Sequence, residues 1–302
     1  MHIRIGYEIE ISCEAAIPML LAMSTHTEFA GRIIGSDNVR TSRDQTVEQY
    51  IDLYGNKISR IVAQPGVTTV WSDCVAEVDG EPDHVPWNAV QHAVEDLPPE
   101  TLRYLVASRY CDSDELINFA WQQFGHLTNG CARVMAICDF VHNNTTFGYK
   151  FARTTKTATD VLGEKTGVCR DFAHLSVALC RAMNIPARYA SGYLGDIGVP
   201  DTGFDDFCAW FEVYIGGQWH TFDARYNTPR IGRVLMVRGA DAADVAMMTS
   251  FGNYRMNSFR VWSEELPDGQ SDADLLAMLE HRHVGRPQPI PVPTFVMGAT
   301  AR

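Results

Sequence analysis

Cys169 follows Lys165-Thr166-Gly167-Val168 and leads into Arg170-Asp171-Phe172-Ala173-His174, after which Leu175, Ala178, Leu179, Ala182 and Met183 recur at helical spacing. The cysteine thus stands at the start of a predicted helix. Unpaired N–H groups and the positive end of the helix dipole lower a thiol pKa there from its free value of about 8.5. A thiolate so placed is a nucleophile for acyl carbonyls. Further on, residues 189–193 read as a strand, and two arms, 207–215 and 218–223, flank Gly216-Gly217, a strong two-residue hairpin signal. A tight turn pairs Ile215 with Gln218 and sets Trp210 opposite Asp223, with Cys208 one step along the same face. By the same count His220 pairs with Val213 on the other face, out of reach of a site containing Asp223.

The ordered combination of Gly167-Val168-Cys169, Ile185-Pro186-Ala187-Arg188 with Gly192-Tyr193, Ala209-Trp210 with Glu212-Val213, and Trp219 with Asp223 resembles the transglutaminase-like superfamily, a papain-related group. Asp52-Leu53-Tyr54-Gly55-Asn56 is similar to the sheet domain that precedes the catalytic core in many bacterial members, so the resemblance covers most of the chain apart from its tail. It implies a Cys, His, Asp triad. Cys169 matches the nucleophile, Asp223 the aspartate, and Cys208 occupies the histidine position. A thiol cannot become the cation that stabilises a thiolate partner and later protonates a leaving amine.

Three readings follow. Thiol chemistry on a peptide or protein amide persists, with another residue or water moving the proton and Asp223 helping; the loss of a general base typically removes about 10²–10⁴ in rate. Alternatively, the chain is a non-catalytic descendant that binds peptide in the same cleft. In the third, Cys169 and Cys208 form a reversible disulfide or, with Asp223, part of a metal site. Trp210, Arg170, Asp171 and Tyr193 are the candidate substrate-binding residues, although Arg170 and Asp171 also read as cover for the exposed face of the helix. The backbone N–H of Cys169 is a candidate oxyanion donor. His174, about 500° around the helix from Cys169, points away from the thiol and reads as a core histidine. His142, His281 and His283 do not form a ligand set, and Asp196, Asp201, Asp205 and Asp206 read as an acidic loop. No cofactor is expected, no metal ligand is assigned, and no EF-hand spacing for calcium occurs.

The elements that must position these groups differ along the chain. Residues 2–78 come in short Ile-, Val- and Thr-rich bursts, with Ile3, Ile5, Tyr7, Ile9 and Ile11 on one alternating face, as in an antiparallel sheet. Residues 79–99, broken by Pro82, Pro86, Pro98 and Pro99, read as a linker. Beyond it, Asp112 or Ser113 caps a helix carrying Leu116, Phe119, Ala120 and Phe124, and a second helix buries Val134, Ile137, Val141 and, seven apart, Cys131 and Cys138. Four prolines from Pro287 to Pro293 bar a helix or central strand from the tail. The expected fold is α+β: a mainly antiparallel β domain at 1–98, a papain-like transglutaminase core at 99–280 with the cysteine helix packed on an antiparallel sheet, and a Pro-rich tail at 281–302. Eight cysteines without a CxxC pair read as free thiols rather than a zinc ribbon or disulfide scaffold. A net charge of −12 opposes nucleic acid and anionic lipid as partners. Residues 1–10 lack the basic start and apolar run of a secretory signal, and no stretch nears the roughly 20 apolar residues of a membrane span, which reads as a soluble, cytoplasmic protein.

Overall fold

The computed structural model describes residues 1–127, 130–201, 203 and 207–290, and the backbone of 295–296. The chain opens with six strands: β1 (His2–Cys13), β2 (Ile17–Leu21), β3 (Ile33–Thr41), β4 (Glu48–Ile51), β5 (Lys57–Ala63) and β6 (Gly66–Glu77). Along β1 the alternating Ile3, Ile5, Tyr7, Ile9 and Ile11 are all fully buried, as their period of two requires. An irregular stretch then leads to α1 (Pro99–Leu102), α2 (Ile117–Phe124), α3 (Gly130–Asn144), β7 (Thr146–Phe147), α4 (Ala158–Glu164), β8 (Thr166–Gly167) and α5 (Cys169–Ala182). Strands β9 (Ala187–Tyr193), β10 (Phe207–Ile215), β11 (Gln218–Phe222) and β12 (Val234–Gly239) form one antiparallel sheet in the order β11-β10-β9-β12.

Helix α5 is the centre of the molecule. Every residue after Cys169 in it is buried, because α2, α3 and α4 cover one side and the β9–β12 sheet the other. Strand β10 carries the boundary between two cores by alternation: Phe211, Val213 and Ile215 belong to the helical core, whereas Cys208 and Trp210 belong to the core shared with the N-terminal strands. Asn56 ties the two bodies together, its side chain exchanging hydrogen bonds of 2.8 and 2.9 Å with the main chain of Arg238. No helix among the described residues is long and apolar enough to cross a membrane.

The chain then returns to its beginning. Strand β13 (Met248–Ser250) pairs with β2, and β14 (Arg255–Glu265) pairs with β1 along nearly its whole length. Residues 248–265 therefore build the N-terminal sheets rather than the core to which a linear division at 99–280 assigns them. Antiparallel pairing of β1 with a strand some 250 residues away leaves no local trace in the sequence. A short helix, α6 (Asp272–Leu279), follows, and β15 (Arg286–Pro287) and β16 (Phe295–Val296) lie at the outer edges of the two five-stranded sheets, β15-β14-β1-β6-β3 and β16-β13-β2-β5-β4. An edge tolerates Pro287 because no ladder N–H is needed there; Pro291 and Pro293 lie outside the described residues. Helix α2 starts at Ile117, later than a cap at Asp112 or Ser113 implies, because residues 113–116 form turns.

Candidate active site

Gly167 and Asp171 set the start of α5. Asp171 Oδ2 accepts the Val168 N–H at 3.0 Å, and a Cβ on residue 167 would come within 2.7 Å of the Asp171 side chain, so glycine is required. Asp171 is fully buried and forms an ion pair of 3.0 Å with Arg170, whose guanidinium also donates to the Arg153 carbonyl at 2.7 Å. The pair does not cover an exposed face: it is an internal brace for the helix start. Cys169, the first helical residue, is half-exposed, whereas the other seven cysteines are buried, and all eight are free thiols.

The hairpin register is as the Gly-Gly turn dictates. Gly216 and Gly217 both adopt positive φ, Ile215 pairs with Gln218 and Val213 with His220. His220 is buried against His84, away from the thiols. Cys208 lies across β9 from Gly192, and its thiol is hydrogen-bonded to Cys169. That hydrogen bond and burial raise the Cys208 pKa well above the ordinary thiol value, so Cys208 keeps its proton.

Arg225 completes this cluster and is absent from the sequence-based assignments. Its Nη1 lies 3.8 Å from Cys208 Sγ, and its guanidinium sits 3.9 Å from the Phe147 ring centroid and 4.7 Å from that of Tyr226. Burial works against its charge, but Cys208 and Cys169 more than offset this and hold its pKa above the usual guanidinium range. A permanent cation thus stands beside the thiols. The available signal was a basic residue two places beyond Asp223, just past the hairpin arm.

Asp223 lies near Cys208 but turns to other partners. It accepts the Arg225 and Tyr226 backbone N–H groups at 2.9 and 3.2 Å and pairs with Arg233 at 3.0 Å. With no imidazole to orient, its carboxylate holds the turn that delivers Arg225. Arg233 in turn pairs with Asp83 and lies 4.9 Å from the Trp210 ring centroid. A cavity of about 140 Å³ is lined by Cys169, Arg170, Tyr189 and Ser191, together with apolar residues of the core shared with the N-terminal strands. Of the four candidate substrate-binding residues, only Arg170 lines it; Asp171, Trp210 and Tyr193 are buried in packing and do not.

His174 is fully buried, stacks on Tyr110 at 5.1 Å and accepts the Ala242 N–H at 3.1 Å, as a core histidine does. His142 contacts the Ala224 and Arg225 carbonyls through Nδ1, supporting the same turn. Asp196 pairs with Arg230 and Asp201 with Arg286, while Asp205 and Asp206 lie outside the described residues. Among the described residues no three His, Cys, Asp or Glu side chains are grouped to hold a metal ion.

A half-exposed cysteine opens a buried helix that packs on an antiparallel sheet, with an aspartate just after the sheet's hairpin. Residues 118–224 match the sequence pattern of the transglutaminase-like superfamily. The chain is similar to a candidate cysteine protease of Cytophaga hutchinsonii of known crystal structure, with 28% identity, a TM-score of 0.72, and coverage of 91% of this chain and 96% of that one. It is also similar to an uncharacterized protein of Mycobacterium leprae, 38% identical over 91 residues that make up 29% of this chain and 32% of the relative. A Mycobacterium tuberculosis protein is 35% identical over 113 residues, 33% of this chain and 36% of the relative. The chain spans about a third of the length of these mycobacterial relatives.

Proposed function

We propose that the protein performs thiol-dependent acyl chemistry at Cys169, hydrolysing or transferring the acyl group of an amide or peptide, with Arg225 as the stabilising cation. The observation that carries this reading is the cluster itself: the one half-exposed cysteine, at a helix N-terminus, hydrogen-bonded to a protonated Cys208 beside a fixed guanidinium. The Cys169 thiolate attacks the carbonyl carbon, and the tetrahedral intermediate collapses to a Cys169 thioester as the C–N bond breaks and the leaving nitrogen takes a proton from water, which is left as hydroxide. Water or an amine then resolves the thioester. The Cys169 backbone N–H, in the first turn of α5, serves as an oxyanion donor. What the site lacks is a group that both takes and returns a proton near neutral pH.

The test is the pH dependence of Cys169 alkylation by iodoacetamide, located by peptide mass spectrometry and compared with Cys208→His. Selective labelling of Cys169 well below pH 8 is expected, together with a gain in amide turnover when histidine is restored. A Cys169 that becomes reactive only in Cys208→His would make the natural protein a peptide-binding descendant. A second reading is favoured by the thiol–thiol hydrogen bond: mild oxidation should link the peptides holding Cys169 and Cys208, switching the nucleophile off reversibly. Absence of that crosslink under mild oxidant would remove it.

A further inference from the structure

The cavity beside Cys169 is closed in part by residues of the N-terminal sheets. Ala22 follows β2, Phe259 lies on β14, Val237 lies on β12, and Ala242, Ala246 and Met247 come from the segment between β12 and β13. Alanine stands where a larger apolar side chain would fill the space. Among the described residues no carboxylate or lysine lines the cavity, and the one charged lining residue, Arg170, is paired with Asp171. Apolar cavities near 150 Å³ accommodate a benzene-sized group, so this one suits an uncharged acyl chain of a few carbons or a small ring.

The proton inventory limits the leaving group. Arg225 does not release its proton, and the Cys208 proton is engaged with Cys169. An amide nitrogen must be protonated to depart, whereas a thiol leaves as a thiolate, its conjugate acid having a pKa of about 8.5. We propose that the cavity receives the acyl portion of an apolar acyl thioester, and that Cys169 takes this acyl group by thioester exchange. In that step the Cys169 sulfur forms a bond to the carbonyl carbon, the oxyanion reforms the carbonyl, and the original C–S bond breaks with its electron pair leaving on the departing thiolate. No proton and no oxidant is required. The proposal rests on Cys169 being the nucleophile and extends the substrates from amides to acyl thioesters, from which Cys169 should be acylated faster.

The experiment offers wild-type protein hexanoyl, acetyl and succinyl thioesters of N-acetylcysteamine and the corresponding hexanoyl amide, with intact mass and peptide mapping as readout. Hexanoyl transfer to Cys169 should be at least about tenfold faster than acetyl transfer, because the extra methylenes leave water. Succinyl thioester and hexanoyl amide should acylate at least about tenfold more slowly again. Equal or faster acylation by acetyl or succinyl thioester, or by the amide, overturns the proposal. Ala246→Phe, checked for folding by circular dichroism, should erase the hexanoyl preference; if it does not fold, the acyl series on wild type decides alone. Iodoacetamide labelling separates the two levels: Cys169 that alkylates selectively but shows no acyl preference defeats only the thioester assignment, whereas no selective alkylation defeats the nucleophile reading and this one with it.

Discussion

At the scale of single residues, a thiol at position 208 limits what charge the site can hold. A histidine would supply both a cation and a movable proton; Cys208 supplies a hydrogen bond, and Arg225 supplies a cation that does not move its proton. The two jobs of the imidazole are thus divided, and one of them is left without a residue. Arg225→Ala should raise the pH at which Cys169 alkylates by about one unit, since an opposite charge within a few ångströms lowers an acidic pKa by about that much or more. Arg225→Lys should recover part of the shift. Alkylation rates measured across the pH range check both, and an unchanged profile in Arg225→Ala would show that the helix terminus alone activates the thiol.

At the scale of elements, α5 is an apolar helix that contains several polar groups, each tied to a partner. The Asp171–Arg170 pair is buried in it, so Asp171→Asn leaves a guanidinium without its counter-ion and should destabilise the fold by about 3 kcal/mol in denaturant unfolding. His174, on the same helix, has its pKa driven well below 6.5 by burial and by Arg170 and Arg181. The unfolded chain takes up a proton there below about pH 6.5 and the folded chain does not, so stability rises with pH and is lost as pH falls through that value. His26 and His220, also lowered by burial, add to the same slope. Urea midpoints should therefore fall between pH 7 and 5, and His174→Gln should flatten part of that decline; an identical slope in the variant would assign the whole effect to the other two.

At the scale of the whole molecule, the β9–β12 sheet is locked to the N-terminal strands by Asn56, by the Arg238–Glu28 ion pair and by Phe207 packing 5.8 Å from Phe259. Because β14 lies beside β1 in the central sheet, the last fifth of the chain is part of the first folding unit. A chain ending at residue 247 should fail to give folded protein, and the full chain should unfold in a single transition seen alike by near-UV circular dichroism and by exposure of its buried thiols. Two separate transitions would show that the bodies are energetically independent.

Local patterns settled much of this in advance. The period-two face of β1, the helix opening at Cys169 and the Gly216-Gly217 hairpin with its register are short-range properties, set by side-chain alternation, dipole and turn geometry within a few residues. That same register put Cys208 and Asp223 on one face and His220 on the other. What tertiary structure alone decided depends on groups brought together from distant parts of the chain. Arg225 meets the thiols because Asp223 holds its turn; Arg170 and Asp171 go inward because helices α2 to α4 close over α5; and Trp210 and Tyr193 are lost to packing by the sheets beneath them. The return of β14 to β1 had no local signal, since a strand carries its own alternation but not the address of its partner.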